Sequence, residues 1–206
     1  MTATDETDVP LDTAGDDHRS PHVLMTIAGA IGLAAAFVLT VDKFTLLQNK
    51  IDGVETALSC DFSAFVSCGG VMDSAQAEAF GFPNSLIGII GFSVVTALGV
   101  ILWSGGGFGR LVWGGLQVGV LFGIGFVTWL QFQSIYRLHL LCPYCMVVWA
   151  VMIPLFVYVT ACNLRGVAPQ SAVTRFVSNW SVLIVALWYI AIASAIWLHF
   201  GERLWA

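Results

Sequence analysis

Four of the five cysteines in this chain fall into two pairs. Cys142 and Cys145 flank Pro143 and Tyr144 in a C-x-x-C motif, so both sulfurs lie within one turn if the segment is helical. Pro143 suits the first turn of a helix, where its missing N–H costs nothing. The dipole and free N–H groups at a helix N-terminus favour a thiolate and lower the pKa of a cysteine placed there. Cys60 and Cys68 enclose seven residues, Asp61 to Ser67. That second pair is either a structural bridge pinning its loop or a mobile shuttle. Beside a C-x-x-C it has the makings of an electron relay by thiol–disulfide exchange. A four-cysteine zinc site would normally use two tight pairs, which the wider spacing fits poorly. Metal-binding or purely structural use of the cysteines is the competing reading. Cys162 lies roughly 25 Å beyond Cys145 if the two share a helix, and reads as a packing cysteine at the far end.

The elements that must position these sulfurs are membrane spans. The chain has 206 residues, 58% of them hydrophobic and only 10% charged, against about 25% charged in a soluble domain. Five stretches are long and apolar enough to cross a bilayer as helices: 23–41, 86–103, 111–130, 143–161 and 182–200. Residues 1–21 read as a disordered acidic leader, and residues 22–206 as one transmembrane domain. Eight scattered Lys and Arg make no basic face for nucleic acid. Most connections are short, including 104–110 and 134–142, and 162–181 reads as a modest polar loop. Residues 42–85 form a far longer loop, and long loops of this kind are usually functional or disordered. A helix start at Asp73-Ser74 and a stop at Gly81 and Pro83 place a short helix within it. Gly115, Gly119 and Gly123 repeat at four-residue spacing and read as a helix-packing stripe. Pro154 inside the fourth span reads as a bend.

Charge does not orient the bundle. Arg19, Arg110, Arg165 and Arg175 fall on one side, and Lys43, Lys50, Arg137 and Arg203 on the other, a tie under the positive-inside rule. Parity is more useful. One pair follows the first helix and the other opens the fourth, so both lie on the same face. Disulfide chemistry belongs on the oxidising side, which puts the N-terminus in the cytoplasm and the C-terminus outside. With no charged-cofactor motif in a bilayer-embedded bundle, the economical electron acceptor is a lipid-soluble quinone.

The order of these motifs resembles a bacterial member of the vitamin K epoxide reductase family. The likeness covers roughly residues 22–162. It rests on Cys60-x7-Cys68 after the first helix, Phe82-Pro83-Asn84-Ser85 leading into the second, and Cys142-Pro143-Tyr144-Cys145 opening the fourth. In the DsbB family, which does similar chemistry, the C-x-x-C precedes the loop pair. The resemblance implies an all-α integral membrane protein of the bacterial cytoplasmic membrane. It has five transmembrane helices: a four-helix bundle around a quinone, plus one peripheral helix. A long extracytoplasmic loop carries a short helix.

The resemblance also implies roles. Cys60 accepts electrons from a partner's thiols, Cys68 passes them to Cys142, and Cys145 faces the quinone, menaquinone or ubiquinone. Asn84 hydrogen-bonds a quinone oxygen, or caps the second helix. Ser74 supplies a functional hydroxyl, or caps the loop helix. Trp149 stands where vertebrate relatives have a quinone-bonding tyrosine; an indole donates a hydrogen bond but cannot accept one. Phe80, Phe82, Phe122, Phe126 and Trp129 are either pocket walls or plain packing. Several bacterial relatives carry a fused thioredoxin-like domain after the fifth helix. Here the expected partner is a separate DsbA-like, thioredoxin-fold thiol oxidase outside the cytoplasm.

Overall fold

A computed structural model describes residues 16–53, 60–61 and 65–201. The acidic leader lies mostly outside them. Seven α-helices follow in chain order: α1 Asp16–Asp52, α2 Cys68–Met72, α3 Ser85–Trp103, α4 Arg110–Gln133, α5 Pro143–Val167, α6 Ala172–Asn179 and α7 Ser181–Phe200. A 3-10 turn, Ala75–Glu78, precedes α3, and a π turn, Ser134–Leu138, extends α4. Five of these helices are long and apolar enough to span a membrane, so the protein is an all-α multi-pass membrane protein. Among the described residues the only β structure is a single bridge between Val66 and Leu141.

Two sequence expectations shift. The apolar run of the first span ends at Val41, yet α1 continues to Asp52 and stops at Gly53, which takes the left-handed φ of +68° favoured by glycine. The charges that end the apolar run are accommodated: Lys43 is buried, donates to Met72 O at 2.7 Å and pairs with Glu78 at 2.7 Å. The loop read as 42–85 therefore begins only after Asp52. The polar loop read as 162–181 is also largely helical. Within it α5 runs on to Val167, and α6 follows with its apolar Val173 and Phe176 exposed and Thr174 buried. An eight-residue amphipathic helix is too short to show a spanning signal.

The bundle is made by α1, α3, α4 and α5. The first helix packs along much of α3 and against α5, and α4 packs on α5, whereas α3 and α4 barely meet. Helix α5 is the central element, burying Trp149, Met152, Ile153, Leu155, Val157 and Val159. Outside the bundle, α7 leans mainly on α5 and buries only Phe200. Its exposed apolar side chains suit lipid, where a helix keeps its backbone hydrogen bonds internal.

Glycines make the α1–α3 contact close. A Cβ on Gly29 would lie 2.6 Å from Thr96 Oγ1 and 2.9 Å from Thr96 N. One on Gly99 would lie 2.7 Å from Thr26 N, and one on Gly32 2.5 Å from the Phe92 ring. The stripe on α4 behaves differently. Gly115 and Gly119 have no atom within 4 Å of an added Cβ, and only Gly123 meets a neighbour, Met152 Cε at 2.6 Å. The packing expectation thus fails for Gly115 and Gly119. Instead they face the gap between α3 and α4.

Candidate functional site

Backbone pairing sets the register of the sulfurs. Ser67 N donates to Leu141 O at 3.0 Å, and Leu141 N donates to Phe65 O at 2.8 Å. Each partner is one residue from a cysteine or close to it, so the bridge lays Cys68 beside Cys142. Cys68 opens α2. Ser67 caps that helix, its Oγ accepting from Gly70 N at 3.1 Å. Asp61 adds a second clamp, its Oδ1 accepting from Gly69 N at 3.1 Å and Ser67 Oγ at 2.7 Å.

Cys60 and Cys68 form a disulfide with Cα atoms 5.7 Å apart. Cys142 Sγ stands 3.6 Å from Cys68 Sγ, and all three sulfurs are buried. Cys142 and Cys145 are free thiols. As the N-cap of α5, Cys142 accepts a hydrogen bond from Cys145 N at 3.4 Å, with Pro143 as the first helical residue. The Cys145 thiol, hydrogen-bonded to Cys142, holds Cys142 below the ordinary thiol range. The N–H groups of Cys145 and Tyr144 act in the same direction, and burial opposes them. The site therefore favours a thiolate at Cys142, the nucleophilic and leaving form in thiol–disulfide exchange. Cys162 lies far along the same helix, half-buried and free.

Beyond Cys145 lies a cavity of about 590 Å³ lined by the four bundle helices. Cys145, Trp149, Ser74 and Asn84 all line it, with Gly115 and Gly119 on the α4 side. The wall is mostly apolar, and bare glycine backbone gives a flat ring room between α3 and α4. Phe122 and Phe126 line it too; Phe126 also stacks on Trp129 and meets Phe80 at a tilt.

Across the outer end of the cavity, α2 and the 3-10 turn form a lid. Asn84 holds it: Nδ2 donates to Gln76 O at 2.6 Å, and Oδ1 accepts from Ala79 N at 3.1 Å. Its side chain makes no cap bond to α3. Ser74 likewise makes no side-chain cap bond, and its Oγ donates to Val71 O at 2.6 Å. Trp149 is buried among Ile135, Leu141 and Phe200. Two lysines strap the lid to α1, Lys43 through Met72 and Glu78, and Lys50 through Asp73. Neither lysine stood out in the sequence beyond its charge. The signal was their seven-residue spacing, two helical turns on one face.

A buried line of sulfurs leading from a disulfide to a helix-terminal thiol, with the next thiol on a cavity wall, is equipment for moving electron pairs. No curated protein matches the chain. The family comparison does find a match, over residues 23–160, and it agrees with the sulfur geometry: this membrane thiol–disulfide oxidoreductase belongs to the vitamin K epoxide reductase family.

Proposed function

We propose that the protein takes electron pairs from the thiols of a DsbA-like, thioredoxin-fold partner outside the cytoplasm and delivers them to a membrane quinone. The setting is the bacterial cytoplasmic membrane, with the N-terminus inside. The observation that carries this reading is the 3.6 Å approach of Cys142 to Cys68, with Cys145 on the cavity wall.

The exchange runs in balanced steps. A partner thiolate attacks Cys60, and the Cys60–Cys68 bond breaks with its electron pair on Cys68. Cys68 attacks Cys142 of an oxidised Cys142–Cys145 pair, and Cys145 leaves as a thiolate. The partner's second thiol closes the partner's own disulfide and releases Cys60. Cys60 then attacks Cys68, restoring the bridge and expelling Cys142. The result is an oxidised outer pair and a reduced inner pair, the arrangement of bridge and free thiols seen here. The depressed pKa of Cys142 makes it the better leaving thiolate in that last step.

A quinone in the cavity would supply a two-electron, two-proton acceptor. Asn84 has one amide hydrogen beyond the one given to Gln76, so it can donate to a carbonyl while holding the lid. Ser74, already donating to Val71, offers an acceptor. Trp149 offers only a donor. The Gly115 and Gly119 backbone admits the ring.

The test is quinone reduction by a reduced thioredoxin-fold protein in membranes. Cys142→Ala and Cys145→Ala should each lower it by at least about a hundredfold, the scale of losing a reacting group. Near-native turnover in either variant rejects the relay. In Cys68→Ala, the Cys60 thiolate should attack the disulfide of an oxidised partner and form a mixed disulfide with it, the partner's other sulfur leaving as a thiolate.

A further inference from the structure

One carboxylate beside the outer pair has no part in the relay above. Asp42 projects from the extension of α1 beyond the apolar run, and its Oδ2 lies 3.7 Å from Cys60 Sγ. In the bridged state Cys60 carries no proton, so this approach is a contact and not a hydrogen bond. Once the bridge opens, Cys60 becomes a thiol facing a carboxylate at the separation a sulfur hydrogen bond requires.

The relay needs a proton acceptor at this point. Cys60 must become a thiolate to attack Cys68, yet an ordinary thiol has a pKa near 8.5 and is mostly protonated at neutral pH. Cys60 is buried, so water is not freely available to take the proton. No helix start aids it either: Cys68 opens α2 and Cys142 caps α5. Asp61, its neighbour in sequence, spends Oδ1 on Gly69 N and Ser67 Oγ.

We infer that Asp42 is the proton acceptor for Cys60: its carboxylate takes the Cys60 thiol proton as that sulfur attacks Cys68, and returns it when Cys60 is next expelled from the partner's sulfur. The inference rests on the relay proposed above and adds a residue to it. On re-closure the Cys60–Cys68 bond forms, the Cys68–Cys142 bond breaks with its electron pair on Cys142, and the Cys60 proton moves to Asp42. On expulsion the partner–Cys60 bond breaks with its pair on Cys60, which recovers that proton. Each turnover thus leaves Asp42 as it began.

Among the described residues, the charged and titratable groups around it are few. Asp61 from the loop and Cys142 from the start of α5 sense the Asp42 charge. Lys43, its neighbour on α1, is occupied by Met72 O and Glu78, and Lys50 by Asp73. Neighbouring residues of a helix point to different sides, so Lys43 serves the lid while Asp42 serves Cys60.

The experiment follows re-formation of the Cys60–Cys68 bridge in the reduced full-length protein in detergent, with glutathione disulfide as oxidant and no quinone added. Quenching by alkylation and peptide mass analysis reads the bridge directly. Asp42→Asn should close the bridge about a hundredfold more slowly at about pH 6.5, at the low end of general-base effects. The deficit should shrink toward about pH 9, where an ordinary thiol is mostly ionised without a base. Asp42→Glu should keep the native pH profile. Equal rates for Asp42→Asn and the native chain at about pH 6.5 overturn the inference. So does a deficit of the same size at every pH in both variants, which would mark a packing role. Because no quinone takes part, a chain that shows the expected profile but reduces no quinone sinks the parent reading and leaves this one standing.

Discussion

Glycine occurs on two helix faces of this bundle and does opposite things on them. Between α1 and α3, Gly29, Gly32 and Gly99 are filled from across the interface, with Thr96, Phe92 and Thr26 standing where a Cβ would be. On α4, Gly115 and Gly119 meet nothing. The first set closes a helix pair, and the second holds open the space that Cys145 faces. A four-residue glycine spacing therefore reports only that a surface is smooth. Whether a helix or a ligand lies against it depends on the other face, and α3 turns its own close-packing glycines toward α1.

Three substitutions break or sharpen that contrast. The largest effect is expected at Gly99→Leu, where the obstruction is the main chain of Thr26 and cannot swing aside. Overpacking there should cost about 3 kcal/mol, read as a collapse in folded yield and thermal midpoint in detergent. A stable Gly99→Leu protein would mean that the α1–α3 interface is looser than described. Next comes Gly119→Leu, which has open space to enter. Stability should hold within about 1 kcal/mol, while the quinone KM rises about tenfold from lost binding. Unaltered quinone kinetics would remove Gly119 from the ligand's wall. The smallest change belongs to Gly123→Ala. Its obstruction is the flexible Met152 methyl, and thioether chains repack readily. The gain in helix propensity, about 1 kcal/mol, should offset most of the crowding, leaving the thermal midpoint nearly unchanged.

Much of the fold was legible because lipid demands long uncharged helices, and five such runs stand out. The part of α1 beyond Val41 was not, because a run reading stops at Asp42-Lys43. Only the tertiary partners Met72 and Glu78 show how a lysine is tolerated there. Helix α6 was hidden for a different reason: its apolar face is only Val173, Phe176 and Val177, about one turn long. The four cysteines announced themselves by spacing, and helix parity put them on one face, where Cys68 and Cys142 do meet. Their alignment was illegible, since the Val66–Leu141 bridge is made of main-chain atoms joining segments 75 residues apart. The polar residues around the cavity were legible as types but not as geometry. Asn84 and Ser74 are both tied to the lid backbone, which no local capping pattern reveals.

That same bridge bears on how the sequence can drift. The register between the two sulfur pairs is carried by the N–H of Ser67 and of Leu141 and by the carbonyls of Phe65 and Leu141. Every amino acid except proline supplies both groups. The register itself thus does not depend on side-chain identity, although Ser67 is held to its cap on α2 and Leu141 to its buried place against Trp149. Sequence drift that avoids proline and spares those two side chains leaves the sulfurs aligned.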